Sequence, residues 1–139
     1  MRNLVFVDTG ALVGRFLEKD QRHPRAEEAM RRLLLEGRQL LSTDYVFDEV
    51  VTLVRGRAEH WSAVRVGESI LSSEVIDLVE IDAPLRQQAW KLFKKYQDQE
   101  LSFTDCASFA VMAKYGIREA LTFDDDFRKA GFETIPRRK

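Results

Sequence analysis

Residues 4–7, Leu-Val-Phe-Val, form an uninterrupted apolar run that ends directly at Asp8. A strand without polar alternation is buried on both faces, as strands in parallel sheets are. A second β-rich run, Ala-Leu-Thr-Phe at residues 120–123, also ends in an acid, Asp124. The sequence therefore predicts a parallel sheet that carries a carboxylate at the ends of two strands.

Segments with helical spacing alternate with short β-rich segments along the rest of the chain. This alternation predicts a three-layer α/β/α sandwich with a mainly parallel central sheet. Further strands are predicted at residues 40–42, 75–81 and 133–135. Helices are predicted at residues 24–36, 60–72, 84–97 and 104–115. Three more helices are predicted: one that follows Asp8, one that follows Asp44 and a short one before the last strand. In such sheets, ligands bind outside the carboxyl ends of the strands.

The composition is that of an ordinary globular protein, with 45% hydrophobic and 32% charged residues among 139. This length predicts a single domain over residues 1–139. The single cysteine, Cys106, excludes an intrachain disulfide and a cysteine-based zinc site. The N-terminal apolar run is too short for a signal peptide or a membrane span, so we expect a cytoplasmic protein without a membrane partner.

The formal net charge of -1 argues against a protein that grips nucleic acid through a strongly basic surface. Any RNA-directed activity then needs positive charge from a divalent ion and from local basic clusters. Three such clusters are present: Arg55/Arg57, Lys94/Lys95 and Arg128/Lys129.

Four acids are the candidate functional residues: Asp8, Glu49, Asp105 and Asp124. Each has a structural explanation of its own. Asp8 and Asp124 precede predicted helices and could cap them. Asp105 matches a capping box begun by Ser102, and Glu49 could lie on a solvated helix face.

Taken together, the four acids are expected to meet at one edge of the sheet. Two carboxylates about 5 Å apart repel by roughly 3 kcal/mol at an effective dielectric of about 20. A divalent cation offsets this repulsion, and Mg²⁺ and Mn²⁺ prefer such oxygen ligands. The ion can activate a water molecule to attack a phosphodiester. The sequence therefore predicts a metal-dependent hydrolase.

Other catalytic classes find no support in the sequence. His23 and His60 are the only histidines, and neither has the spacing of a metal ligand. There is no glycine-rich phosphate loop and no nucleophile elbow. A phosphoacceptor receiver domain also carries acids at strand ends, but it needs an acid pair after the first strand and a lysine after the last. Here Asp8 is followed by Thr9, and the last strand ends in Ile135-Pro136, so neither feature is present.

Four segments, in order, resemble the motifs of PIN domains: residues 6–12, 43–50, 102–105 and 121–124. The resemblance extends over nearly the whole chain. It implies an α/β/α domain that binds one or two Mg²⁺ or Mn²⁺ ions and cleaves single-stranded or structured RNA. Single-domain members of this size are most often VapC toxins of type II toxin–antitoxin modules. These form homodimers and are inhibited by a small antitoxin protein, VapB.

The resemblance also implies roles for individual residues. Asp8, Glu49 and Asp105 would be the core ligands, with Asp124 supporting them or binding a second ion. Because three acids follow one another at residues 124–126, Asp126 is the reserve for Asp124. Thr9 or Thr104 would orient a carboxylate or a water molecule.

Two alternatives stay open beside the toxin. A housekeeping RNA-processing PIN nuclease would carry the same acids, and only a neighbouring antitoxin gene would distinguish the two. A non-catalytic PIN-like binding module would have lost acids, whereas all four are present here.

Overall fold

The computed structural model describes residues 3–137, in which five strands form one parallel sheet. The strands are β1 (Leu4–Val7), β2 (Gln39–Thr43), β3 (Ile76–Val79), β4 (Glu119–Leu121) and β5 (Glu133–Ile135). Their order across the sheet is β3-β2-β1-β4-β5. Every neighbouring pair is parallel, which confirms the predicted central sheet.

Within residues 3–137, seven helices flank this sheet and complete the predicted α/β/α architecture. They are α1 (Thr9–Phe16), α2 (His23–Leu35), α3 (Asp44–Arg57), α4 (His60–Leu71), α5 (Ala83–Lys95), α6 (Phe103–Tyr115) and α7 (Asp126–Lys129). No helix within residues 3–137 is both long and apolar enough to cross a membrane. The single-domain expectation for residues 1–139 remains a prediction.

The central strand β1 is covered on both faces, as its unbroken apolar sequence predicts. Val5, Phe6 and Val7 have no exposed surface, and the Phe6 ring stacks on the buried ring of Phe127 at a centroid distance of 6.1 Å. Burying a large apolar side chain contributes roughly 1.5–3 kcal/mol. The middle of the sheet is therefore a rigid platform for whatever follows its strands.

The order in which the chain adds strands to the sheet changes side between β1 and β4. The chain first adds β2 and β3 on one side of β1, and later adds β4 and β5 on the other. A crevice forms at such a switch point, just beyond the carboxyl ends of the strands. Asp8 follows β1 directly, so the crevice begins at that carboxylate.

Two predicted strands are shorter than their apolar sequences. β3 spans Ile76–Val79 rather than residues 75–81, and the backbone N–H of Ile81 donates to Asp44 Oδ1 instead of to a neighbouring strand. β4 ends at Leu121 rather than at residue 123. Residues 122–124 thus form a connecting segment, which gives Asp124 a different environment from Asp8.

Candidate metal centre

Asp8 lies at the N-terminal end of α1 but does not cap it through its side chain. The residue is only 5% exposed, and its Oδ2 accepts a hydrogen bond of 2.9 Å from Thr122 Oγ1. The pKa of Asp8 is raised from 3.8 to about 7, mainly by burial and also by the charges of Asp105 and Asp124, against the lowering effect of hydrogen bonds. A buried acid with a raised pKa in a crevice is a candidate functional residue.

Thr122 joins Asp8 to the segment that follows β4. Its Oγ1 donates to Asp8 Oδ2 and accepts the backbone N–H of Asp124 at 2.9 Å. The threonine is buried, so these hydrogen bonds are shielded from water. One hydroxyl therefore fixes both the orientation of the Asp8 carboxylate and the path of the backbone at Asp124.

Glu49 projects from the second turn of α3 towards the same crevice. Thr9 Oγ1 donates a hydrogen bond to Glu49 Oε1, which joins α1 to α3. Its neighbour Asp48 is exposed. The alternative of a solvated face therefore applies to Asp48. Thr9 contacts a candidate carboxylate, and its supporting role in the site remains a prediction.

Asp105 both stabilises its helix and faces the other acids. Ser102 Oγ accepts the backbone N–H of Asp105, and Asp105 Oδ2 accepts the backbone N–H of Ser102, which completes a capping box at the start of α6. Burial raises the pKa of Asp105 to about 6, with further contributions from the charges of Asp124 and Glu49. Asp105 therefore caps α6 and also lies beside the other acids, while its role as a metal ligand remains a prediction.

The three consecutive acids after β4 take different positions. Asp124 Oδ1 accepts the backbone N–H of Asp126 at 2.9 Å, which starts α7. Asp125 pairs with Arg128 through both of its carboxylate oxygens. Burial and the charge of Asp124 raise the pKa of Asp126. Asp124 and Asp126 thus both contribute to the acidic cluster, while Asp125 is held by an arginine.

One carboxylate oxygen from each of Asp105, Asp124 and Asp126 lies within 4.8 Å of the other two. Asp8 lies close enough to Asp105 and Asp124 to be affected by their charges. These donors are all hard oxygens, converging in a crevice where burial and mutual repulsion disfavour ionisation. This is the donor set that Mg²⁺ and Mn²⁺ prefer, so the residues fit a divalent ion.

The acids open into a cleft of about 490 Å³. Glu100, Ser102 and Leu53 also line it, and Arg22 is the one basic residue among its lining side chains in the part of the chain described. None of the three basic clusters noted in the sequence lines this cleft. Arg22, at the start of α2, therefore places a positive charge in the wall of the cleft.

The structure separates the two candidate supporting threonines. Thr9 contacts Glu49, whereas the side chain of Thr104 makes no hydrogen bond within residues 3–137 and does not line the cleft. Thr122 was absent from the sequence-based candidates, although it belongs to the fourth motif. Its position two residues before an acid-rich segment is a weak signal, because the contact with Asp8 spans 114 residues.

Replacing Thr122 by valine should destabilise the protein by about 1–3 kcal/mol, because the buried Asp8 carboxylate loses its donor while the side-chain shape is kept. Urea denaturation measures this change. Thr104→Val is the matched control and should shift the midpoint little. Equal midpoints for Thr122→Val and the wild type would contradict the role assigned to the hydroxyl.

Comparison with known proteins identifies relatives along almost the full chain. A profile of the PIN domain matches residues 5–133. The chain is 35% identical over 132 residues to the 23S rRNA-specific endonuclease VapC20 of Mycobacterium tuberculosis, covering 95% of this chain and 98% of that protein. It is 28% identical over 131 residues to a VapC ribonuclease of Aquifex aeolicus, covering 93% of each.

Solved structures give the same result. The crystal structure of Mycobacterium tuberculosis VapC20, described as a sarcin-ricin loop cleaving toxin, matches with a TM-score of 0.81 and 34% identity over 92% of this chain and 95% of that one. VapBC2 of Rickettsia felis, bound to a DNA fragment from its promoter, matches with a TM-score of 0.70 and 11% identity, covering 92% and 93%. This second likeness concerns the fold alone.

Proposed function

The chain belongs to the PIN-domain family, and on this basis we propose that it is a metal-dependent endoribonuclease. One observation carries the proposal: the carboxylates of Asp105, Asp124 and Asp126 converge beside the buried Asp8 at the switch point of the sheet. The names of the relatives, a VapC ribonuclease and an rRNA endonuclease, support the same activity.

We propose that Mg²⁺ or Mn²⁺ is held by Asp8, Asp105 and Asp124, with Glu49 and Asp126 completing the acidic set. When bound, such an ion activates water and neutralises charge that develops on the phosphodiester. The raised pKa values of Asp8 and Asp105 follow from burial and from neighbouring carboxylates, so a cation in the crevice favours their ionised forms.

The remaining groups of the site position these carboxylates. Thr122 fixes Asp8, Thr9 fixes Glu49, and Ser102 fixes Asp105 through the capping box. Thr9 and Thr122 are themselves buried, and Ser102 begins α6, so the acids are oriented before substrate binds. Such preorganisation reduces the reorganisation required in the transition state.

The proposed substrate is RNA with an accessible loop or single strand. Support comes from the relative of 35% identity, whose name specifies 23S rRNA. The cleft shares Arg22, Phe123, Asp124 and Asp125 with a second groove, so a strand bound at the acids can continue into that groove.

The purified protein should cleave RNA in Mg²⁺ or Mn²⁺ and lose the activity in EDTA. We would incubate it with 23S rRNA, with a mixed single-stranded RNA and with single-stranded DNA, and resolve the products on denaturing gels. Cleavage in EDTA would contradict the metal requirement. If calorimetry shows that the protein binds Mn²⁺ but no RNA is cleaved, the proposed nuclease activity would be contradicted. The protein would then be a metal-binding module.

We propose that the protein acts as a toxin whose partner is a small antitoxin. Induced expression should then arrest growth, and coexpression of a small protein encoded beside it should restore growth. A strain that grows normally while the enzyme is active on RNA in extracts would instead favour the housekeeping role. Asp105→Asn, expressed to the same level, is the control for growth inhibition caused by overexpression alone.

The homodimer and the cytoplasmic location remain predictions. Apolar side chains exposed on and after α4 support an interface with a second copy: Trp61, Val64, Leu71 and Val75. Sedimentation equilibrium of the purified protein tests the oligomeric state directly.

A further inference from the structure

Two arginines at the start of α2 share one aromatic ring at the rim of the acidic cleft. The guanidinium carbons of Arg22 and Arg25 lie 5.1 and 5.0 Å from the ring centroid of Phe123, the residue directly before Asp124. A guanidinium against an aromatic face gains about 0.5–1 kcal/mol at exposed sites, so the ring restrains both cations.

Neither cation is neutralised by the protein. Within residues 3–137, no carboxylate lies in ion-pair distance of Arg22 or Arg25, although six other ion pairs are present. Two like charges are thus held against one ring without an ion-pair partner, and Asp124 and Asp125 line the same groove. The N–H groups of both guanidiniums therefore remain available to an anion that contacts the two arginines together.

These arginines line a groove that is continuous with the acidic cleft. The groove has a volume of about 470 Å³ and is also lined by Thr134 and Arg137, and it shares Arg22, Phe123, Asp124 and Asp125 with the cleft. Arg22, Arg25 and Arg137 therefore place three cations in a groove directly beside the acids.

We infer that this arginine groove (Arg22, Arg25, Phe123, Thr134 and Arg137) binds backbone phosphates of the RNA strand next to the scissile bond. The inference rests on the proposed function. An acidic cleft repels RNA, and the chain as a whole carries a net charge of -1, so binding needs cations placed next to the acids. The planar guanidinium fork suits phosphate oxygens, and a phosphate contact fixes the register of the strand.

The test compares Arg22→Ala/Arg25→Ala with a matched double variant, Arg86→Ala/Lys114→Ala. The control removes the same charge from exposed positions on α5 and α6, and neither position lines the groove or the cleft. Fluorescence anisotropy with a labelled RNA hairpin, in Ca²⁺ instead of Mg²⁺, gives the Kd at several salt concentrations. Cleavage of the same hairpin in Mg²⁺ is measured separately.

Loss of two phosphate contacts should weaken binding about tenfold or more and reduce the slope of log K against log salt by roughly 1–1.5. KM should rise with kcat within about threefold, because these contacts bind the strand without reaching the reacting atoms. The control should retain wild-type binding. Arg22→Lys/Arg25→Lys should retain much of the salt slope, since the charges remain.

Unchanged Kd and salt slope in Arg22→Ala/Arg25→Ala would overturn the inference. An equal loss of RNA affinity in the control would also overturn it, as would a wild-type protein that does not bind the hairpin. If the wild type binds but does not cleave, and the double variant loses binding, the nuclease proposal fails while the arginine groove stands. Circular dichroism melting of each variant separates a binding defect from unfolding.

Discussion

Asp105→Asn is expected to lower kcat/KM for RNA by at least about a thousandfold. A divalent ion contributes several kcal/mol of transition-state stabilisation, and each 1.4 kcal/mol is a factor of ten in rate. Asp105 is central to the acidic set, because its carboxylate interacts electrostatically with Asp8, Asp124 and Glu49. Its replacement therefore affects every proposed ligand.

The substitution is suited to this test because asparagine can keep the capping box. Asp105 Oδ2 accepts the backbone N–H of Ser102, and an amide oxygen can accept the same hydrogen bond. The fold of α6 should thus survive while a negative charge is lost. Thermal melting in EDTA should show a protein at least as stable as the wild type.

Asp48→Asn is the matched control, since Asp48 is exposed and lies beside Glu49 on the same helix. It should cleave RNA at the wild-type rate and bind Mn²⁺ with wild-type affinity in calorimetry. Asp105→Asn with wild-type turnover would remove Asp105 from the ligand set. A loss of activity with unchanged Mn²⁺ affinity would assign it a role other than metal binding.

The sequence predicted the sheet because burial on two faces leaves a direct trace. An apolar run without alternation, such as residues 4–7, has few alternatives to a central parallel strand. The meeting of Asp8 and Asp124 follows from the same logic, because β1 and β4 are neighbours and both ends point to one edge. Glu49 and Asp105 were placed by motif order, and their roles as ligands remain predictions.

The parts that sequence reasoning could not supply depend on contacts between distant segments. The hydroxyl of Thr122 matters because β4 lies beside β1, and nothing within the motif itself distinguishes it from Thr104. Likewise, Arg22 reaches the cleft because α2 begins near Phe123, whereas the sequence draws attention to basic residues that lie close together along the chain. Asp126 joins the cluster because the turn into α7 brings its carboxylate back towards Asp124.

Asp8→Asn is expected to stabilise the metal-free protein, and the gain should grow with pH. In the unfolded chain the Asp8 carboxyl ionises near pH 3.8, whereas burial raises its pKa in the fold to about 7. Between these values the folded state holds the additional proton, so the stability of the wild type falls as the pH rises through this window. Asparagine carries no proton to lose.

The expected size follows from the same pKa. Each pKa unit corresponds to about 1.4 kcal/mol, so ionised Asp8 destabilises the metal-free fold by on the order of 4 kcal/mol above pH 7. In EDTA at pH 8, the unfolding free energy of Asp8→Asn should clearly exceed that of the wild type. At pH 5, the excess should be smaller by about 2–3 kcal/mol. Urea denaturation at the two pH values measures the difference.

Magnesium should reverse this order, because a cation compensates the buried charge only where the carboxylate is present. Added Mg²⁺ should raise the melting temperature of the wild type more than that of Asp8→Asn, since binding to the folded state alone stabilises it. Asp48→Asn should follow the wild type in both media. An Asp8→Asn protein that melts below the wild type in EDTA at pH 8 would contradict the prediction. It would mean that the carboxylate contributes more to the fold through Thr122 than it costs through burial, and Asp8 would then be a structural acid rather than a ligand kept for a metal ion.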